Sequence, residues 1–236
     1  MTKILDTVDL SDKRKVFVVG DIHGCFTLLE QGLSKVGFDR EQDALVSVGD
    51  LVDRGPESSR VEEFLEYPWF FPIQGNHEQM CLPQYAGTSW HVMNGGAWIA
   101  EYGDSFGRDA VKALGKKLND LPIALEVVRG EKKYGFVHAS LYDVDDWSEI
   151  ENRIQRCTHL QDNPFVWDRM HFYAARRLLT DDPNHDTPDG QAFLVDNIDH
   201  VYFGHTPIKE PMTYGNCSWI DTGAFATDIL TIQEIT

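Results

Sequence analysis

Five short polar clusters hold side chains that could do chemistry together. They are Gly20-Asp21-Ile22-His23-Gly24, Gly49-Asp50-Leu51-Val52-Asp53-Arg54-Gly55, Gly75-Asn76-His77-Glu78, the strand-terminal His138, and Gly204-His205-Thr206. Asp21 and His23 stand two residues apart, so on an extended segment both point the same way and reach one ion. Asp50 adds a second carboxylate, Asn76 a neutral amide oxygen, and His138 and His205 two more imidazoles. This mixed oxygen and nitrogen set suits Mn²⁺, Fe²⁺/³⁺ or Zn²⁺. It is too rich in nitrogen for Ca²⁺ or Mg²⁺ alone. Six donors exceed one tetrahedral site and match two ions that share a carboxylate. Two ions ~3.5–4 Å apart clamp the attacking and leaving oxygens of a phosphoryl displacement and lower the pKa of a bound water toward ~7. A single Gly-Asp or Gly-His after a strand is ordinarily only a turn, but the clusters following one another in this order go beyond turn chemistry.

Each cluster ends a β-branched or aromatic run. Val16–Val19, Leu45–Val48, Phe70–Ile73, Tyr134–Val137 and Val201–Phe203 read as strands. Between the first three, Phe26, Leu29, Leu33 and Val36 recur at helical spacing, as do Val61, Phe64 and Leu65. Alternating strand and helix predicts α/β layers, in which ligands bind beyond the carboxyl ends of the strands. All five clusters lie there. Ile123–Val128 and Lys132–Val137, joined at Arg129-Gly130, predict a hairpin, with further strands at Met212–Tyr214, Ser218–Asp221 and Asp228–Gln233. The expected class is therefore α/β with α+β layering, a mixed β-sheet sandwich flanked by helices. Residues 1–236 are expected to form a single catalytic domain. Within it, the stretch 84–118, broken at Asn94-Gly95-Gly96 and Tyr102-Gly103, would be a mostly helical cap beside the site. Thr180–Gln191, TDDPNHDTPDGQ, reads as a surface loop.

Composition bounds the partners. The 236 residues carry 21 Lys and Arg against 38 Asp and Glu, a formal net charge of −17. So acidic a chain presents no basic face to a nucleic-acid backbone, although bound metal ions can invert the field locally for a phosphate. With 42% hydrophobic and 25% charged residues it reads as an ordinary soluble globular protein. No apolar run approaches the ~20 residues that cross a bilayer, so no membrane partner is expected. The N-terminal stretch mixes both charges and lacks a signal-peptide core. Cys25, Cys81, Cys157 and Cys217 are scattered without a Cys-x-x-Cys pair, which predicts free thiols in a reducing cytoplasm.

GDIHG, GDLVDRG, GNHE, His138 and GHT together resemble the phosphoprotein phosphatase branch of the calcineurin-like metallophosphoesterases. LVSVGDLVDRG, PWF, GNHEQM, MNGGAW, FGHTP and IDTGA are similar to its bacteriophage lambda-type and enterobacterial serine/threonine protein phosphatases. The likeness runs from about Val16 to Ile232. It implies a metallophosphoesterase fold and two divalent or mixed-valent ions, with Mn²⁺ as the working metal in vitro and Fe or Zn as alternatives. Asp21, His23 and Asp50 would hold one ion, and Asp50, Asn76, His138 and His205 the other. Arg54 and Arg169 would bind phosphate oxygens, a task for which the planar guanidinium fork is suited. His77 would protonate the leaving alkoxide, with Asp53 as its partner. The implied reaction is direct in-line attack of metal-activated water on a phosphorylated protein or peptide, with no phosphoenzyme and inorganic phosphate as product. Phosphoserine and phosphothreonine are the implied esters, with phosphotyrosine a further class. Two departures stand out: Gln74 occupies a position where many relatives carry Arg, and Arg176–Asp199 is longer than in the short relatives.

The other candidates are weaker. His91, His159, His171, His185 and His200 match no motif and read as surface or satisfied structural histidines. His171 is the one of interest, two positions after Arg169. Glu78 suits either support of a ligand or a helix start. Trp98 is a candidate substrate contact, and Asp143–Asp146 reads as a solvated loop. The main rival is a dinucleoside tetraphosphate hydrolase, or another small-molecule phosphodiesterase, on the same metal core. That family resembles this chain in its first motif and in Arg54-Gly55-Pro56. It typically has Ala where Asp53 stands and Asp where Glu78 stands, so both residues favour the phosphatase. An inactive metal-binding scaffold is disfavoured, because every expected catalytic position is filled.

Overall fold

Side chains alternate across a strand, and here each alternation has two apolar layers to fill. Val16 and Val18 enter one layer while Phe17 and Val19 enter another, and Val46 and Leu45 divide in the same way. The computed structural model describes residues 3–158, 163–179 and 194–236. In chain order the elements are β1 (Leu5–Asp9), β2 (Val16–Val19), α1 (Phe26–Lys35), β3 (Ala44–Ser47), α2 (Val61–Leu65), β4 (Phe70–Pro72), α3 (Asn76–Met80), α4 (Ser89–Met93), α5 (Trp98–Phe106), α6 (Arg108–Asn119), β5 (Ala124–Arg129), β6 (Lys132–Val137), α7 (Ile150–Cys157), α8 (Pro164–Trp167), α9 (Met170–Leu179), β7 (His200–Phe203), β8 (Met212–Tyr214), β9 (Cys217–Trp219), α10 (Ala224–Thr227) and β10 (Ile232–Glu234).

The smaller sheet has the order β10-β2-β3-β4, with β2, β3 and β4 parallel and β10 antiparallel to β2. The larger has the order β1-β5-β6-β7-β9-β8 and is also mixed. Between the sheets, Val16, Val18, Val46 and Ile73 meet Leu125, Val127, Phe136 and Tyr202. The Phe136 and Tyr202 rings stack 5.4 Å apart in this layer. Phe26, Leu29, Phe64, Tyr102, Leu114 and Leu118 bring α1, α2, α5 and α6 onto the outer face of the smaller sheet. Ile150, Ile154, Phe165 and Phe172 bring α7, α8 and α9 onto Phe203 and Trp219 of the larger. Each such side chain stabilises the fold by about 1.5–3 kcal/mol when fully buried. The result is the expected mixed α/β architecture, two mixed sheets flanked by helices.

Several elements differ from expectation for local reasons. β1 is invisible to a hydrophobic pattern because it is a polar edge strand, paired on one side with β5. The break expected at Tyr102-Gly103 is absent. Helix α5 runs through Gly103, where a Cβ would meet Val111 of α6 at 3.3 Å, and ends at Gly107 with φ +88°. The strand expected at Asp228–Gln233 begins only at Ile232, because Asp228 ends α10 in a left-handed conformation. Ser218–Asp221 shifts to Cys217–Trp219. Thr180–Gln191, His159 and His185 lie outside the described residues. Among the described residues no helix is long and apolar enough to cross a membrane.

Candidate metal centre

The segments that follow β2, β3, β4, β6 and β7 converge. Asp50 Oδ1 lies 3.4 Å from His138 Nε2, and Asp50 Oδ2 lies 3.5 Å from His23 Nε2. Asn76 Oδ1 stands 3.1 Å from His138 Nε2 and 3.0 Å from His205 Nδ1. The Asp21 carboxylate accepts the His205 backbone N–H at 2.9 Å. All six predicted donors are buried. The extended Asp21–His23 segment is instead a turn: β2 stops at Val19, His23 has φ +44°, and the Ile22 and His23 N–H groups both donate to the Asp50 carbonyl. Asp50, Asp53, Arg54 and His205 also have positive φ. Each such residue costs of order 1–3 kcal/mol, and strain of this kind gathers at functional sites.

The three histidines share one hydrogen-bond logic. His23 Nδ1 donates to the Val52 carbonyl at 3.0 Å, His138 Nδ1 to Val48 at 2.7 Å, and His205 Nε2 to Trp167 at 3.0 Å. A nitrogen that donates to a carbonyl carries the ring proton, which leaves the other nitrogen's lone pair for an ion. That second nitrogen faces Asp50 in His23, both Asp50 and Asn76 in His138, and Asn76 in His205. Burial pushes His23 down to about 3. Burial, with His138 and Arg169 nearby, pushes His205 to about 2. Both rings are therefore kept in the neutral form that binds metal. Burial, reinforced by Asp221 and Asp50, drives Asp21 well above the usual carboxylate range. Burial alone would raise Asp50 too, but His138, His77 and His23 outweigh it and hold its carboxyl well below that range. Buried carboxylates set close together, with imidazole lone pairs turned inward, are what divalent cations relieve. The His and Asp residues are thus positioned for a dinuclear metal site.

Glu78 accepts from the backbone N–H groups of Asp50, Leu51 and Gly75 at 2.7–2.9 Å, so it both starts α3 and fixes the turn that carries Asp50. Burial and the neighbouring Asp50 raise it to about 7. His77 Nδ1 meets Asp53 Oδ2 at 2.8 Å. Its Nε2 is buried without a hydrogen-bond partner and lies 3.9 Å from Asp50 Oδ2. Arg54 and Arg169 stand exposed at the rim. Arg54 Nη1 lies 2.8 Å from His23 Nε2, its guanidinium lies 4.8 Å from the Phe225 ring, and Arg169 donates to the His205 carbonyl at 3.4 Å.

Sequence reasoning missed some neighbours. His91 is the satisfied structural histidine of the two alternatives, but its partner belongs to the site: it is buried, with Nε2 3.1 Å from both Asp53 oxygens. Trp98, expected as a substrate contact, donates its Nε1–H to Asp53 Oδ1 at 2.6 Å. The only signal was their position either side of Asn94-Gly95-Gly96. Asp221 lies in the IDTGA motif and Phe225 follows it directly. His171 packs against the Phe203 and Trp219 rings. Gln74 is spent inside the fold, donating to the Asn119 carbonyl and accepting from Gln79.

A buried His, Asp and Asn donor set at the strand ends of two mixed sheets forms a candidate metal centre. The profile of the calcineurin-like phosphoesterases matches residues 14–209. The chain belongs to that family. It is 34% identical over 236 residues to serine/threonine-protein phosphatase 1 of Salmonella typhimurium (strain LT2), covering 99% of this chain and 97% of that one. Likeness to the symmetrical bis(5'-nucleosyl)-tetraphosphatase of Serratia proteamaculans (strain 568) is 43% over 75 residues, 31% of this chain and 26% of that one. The fold superposes on a solved protein serine/threonine phosphatase from Saccharomyces cerevisiae with a TM-score of 0.60 at 15% identity, covering 93% of this chain and 70% of that one.

Proposed function

We propose that this chain is a metal-dependent phosphomonoesterase that removes phosphate from phosphoserine and phosphothreonine in proteins or peptides, with phosphotyrosine a further substrate class. The observation that carries the reading is the set of three histidines, each donating one ring N–H to a backbone carbonyl and turning its other nitrogen toward Asp50 or Asn76. Asp21, His23 and Asp50 would hold one ion, and Asp50, Asn76, His138 and His205 the second. Mn²⁺, Fe and Zn²⁺ suit these donors. When bound, such a pair activates a water and draws charge from the phosphoryl oxygens.

The chain's own groups do the rest. Arg54 and Arg169 take phosphoryl oxygens in their planar forks and orient the ester. Water adds to phosphorus opposite the leaving oxygen, and the P–O bond to the serine or threonine breaks. His77 gives a proton from Nε2 to that oxygen, while Asp53 holds the ring through Nδ1. The unpartnered Nε2 supports this role. The free cysteines among the described residues support a reducing compartment, the cytoplasm.

A tetraphosphatase activity is the second reading. Full-length similarity to a phosphatase, against 75 residues shared with a tetraphosphatase, favours the first. So do Asp53 and Glu78. The test assays p-nitrophenyl phosphate, a phosphoserine peptide and diadenosine tetraphosphate with Mn²⁺, Fe²⁺ and Zn²⁺. Turnover of the peptide above the dinucleotide is expected. Preference for the dinucleotide overturns the phosphatase reading, and inactivity on all three overturns both.

A further inference from the structure

Asp53 carries more than the pair with His77 requires. One oxygen meets His77 Nδ1 at 2.8 Å, Trp98 Nε1 donates to the other at 2.6 Å, and His91 Nε2 lies 3.1 Å from both. Three N–H groups therefore converge on one buried carboxylate, and two of them come from the α4–α5 segment. The His91 ring has a fixed sense. The Gly87 N–H donates to its Nδ1 at 3.1 Å, so the ring proton sits on Nε2 and points at Asp53. The ring also has a fixed place, because a Cβ on Gly96 would come within 2.1 Å of it. Cys81 lies beside the same nitrogen, with Sγ 4.0 Å from Nε2 and within 4.8 Å of an Asp53 oxygen. Asp53 itself sits at φ +70°, a backbone state that needs support.

We propose that His91 and Trp98 are positioning residues: they lock the Asp53 carboxylate, which in turn sets the rotation of His77 and aims its Nε2 at the leaving oxygen. This rests on His77 being the leaving-group acid. Without the two donors, Asp53 can turn about its own side chain and the imidazole turns with it. A misaimed acid slows esters whose leaving group needs a proton and hardly affects those that do not. The α4–α5 segment would then matter for alkyl phosphates such as phosphoserine in particular.

The test compares kcat and KM on a phosphoserine peptide and on p-nitrophenyl phosphate for Mn²⁺-loaded wild type, His91→Leu, His91→Gln, Trp98→Phe and His77→Asn. Metal content and unfolding midpoint are measured for each. His91→Leu and Trp98→Phe are expected to lower kcat on the peptide by about tenfold to a hundredfold, the cost of a misplaced reacting group, and on the aryl ester by only about threefold. His91→Gln keeps an N–H for Asp53 and should recover most of the loss. His77→Asn combined with His91→Leu should lose no more than His77→Asn alone, since residues that act as a unit are not additive. Equal losses on both esters, or none, overturn the inference; if His91→Leu does not fold, Trp98→Phe decides. If His77→Asn itself fails to separate the two esters, the acid reading falls and this inference with it. If His77→Asn separates them and the other variants do not, only the inference falls.

Discussion

Gly95 decides where Arg54 stands. The Arg54 N–H donates to the Gly95 carbonyl at 3.1 Å, and both residues are left-handed, Arg54 at φ +69° and Gly95 at φ +103°. A Cβ on residue 95 would lie 2.6 Å from Arg54 N and 2.7 Å from its Cγ, where ordinary contact begins at 3.4 Å. In Gly95→Ala the arginine must therefore give way by most of an ångström. The substitution also forces an L side chain into the left-handed region, at a cost of about 1–3 kcal/mol. Against a folding free energy of ~5–15 kcal/mol the chain still folds. The displacement has the larger effect, since misplacing a substrate-positioning group by about 1 Å costs ~10²-fold. We expect kcat/KM to fall about 30- to 100-fold, alike for aryl and alkyl phosphates, because in its proposed role Arg54 would orient the phosphoryl group and not the leaving oxygen. Inhibition by inorganic phosphate should weaken in parallel, and bound Mn²⁺ should be unchanged. Initial rates on both esters, phosphate inhibition and metal analysis decide the matter. A folded Gly95→Ala protein within about twofold of wild type in kcat/KM would refute the view that this contact sets the arginine.

Asp50→Asn should release metal from both positions and lower activity by more than about a hundredfold, since losing an outer-shell partner alone can reach that; two tightly held ions in a purified active variant would contradict it. Arg169→Ala should lower kcat/KM about tenfold to a hundredfold with metal retained, and Arg169→Lys should restore only part, because lysine keeps the charge and loses the fork. Unchanged phosphate inhibition in the alanine variant would remove Arg169 from the clamp. Away from the site, the Asp43 side chain is buried and accepts from Arg14 Nε at 2.9 Å and from the Asp39 and Lys15 backbone N–H groups. Asp43→Asn should therefore cost about 1–3 kcal/mol in urea unfolding and leave kcat/KM unaltered.

The donor set was legible because each ligand type ends a strand, and strand ends are marked by a change from β-branched to polar residues. Val16–Val19 before Asp21 and Val201–Phe203 before His205 show that boundary plainly. The sheet pair was legible from the same runs, though β1 was not, since its burial is one-sided and its residues largely polar. The hydrogen bonds to Asp53 from His91 and Trp98 were hidden for another reason. They join residues 38 and 45 positions apart through helices whose periodicity reports only their apolar face. The turn at His23 and Asp50 was hidden too, because no side-chain pattern announces a left-handed non-glycine backbone.

The six candidate donors come from two sheets, and the ribosome makes the strands that carry them in succession. Asp21, His23, Asp50 and Asn76 follow strands of the smaller sheet, while His138 and His205 follow strands of the larger. At ~5–20 residues per second the first four emerge on the order of ten seconds before His205. Even then the smaller sheet lacks β10, its edge strand beside β2. A nascent chain thus displays two carboxylates, one amide and one imidazole on an open surface. An oxygen-rich half set of this kind suits hard cations, whereas the proposed full set, with three imidazoles, would suit borderline ones. With the proposed ligand set, the complete set of donors would exist only after His205 has been made and the two sheets have closed.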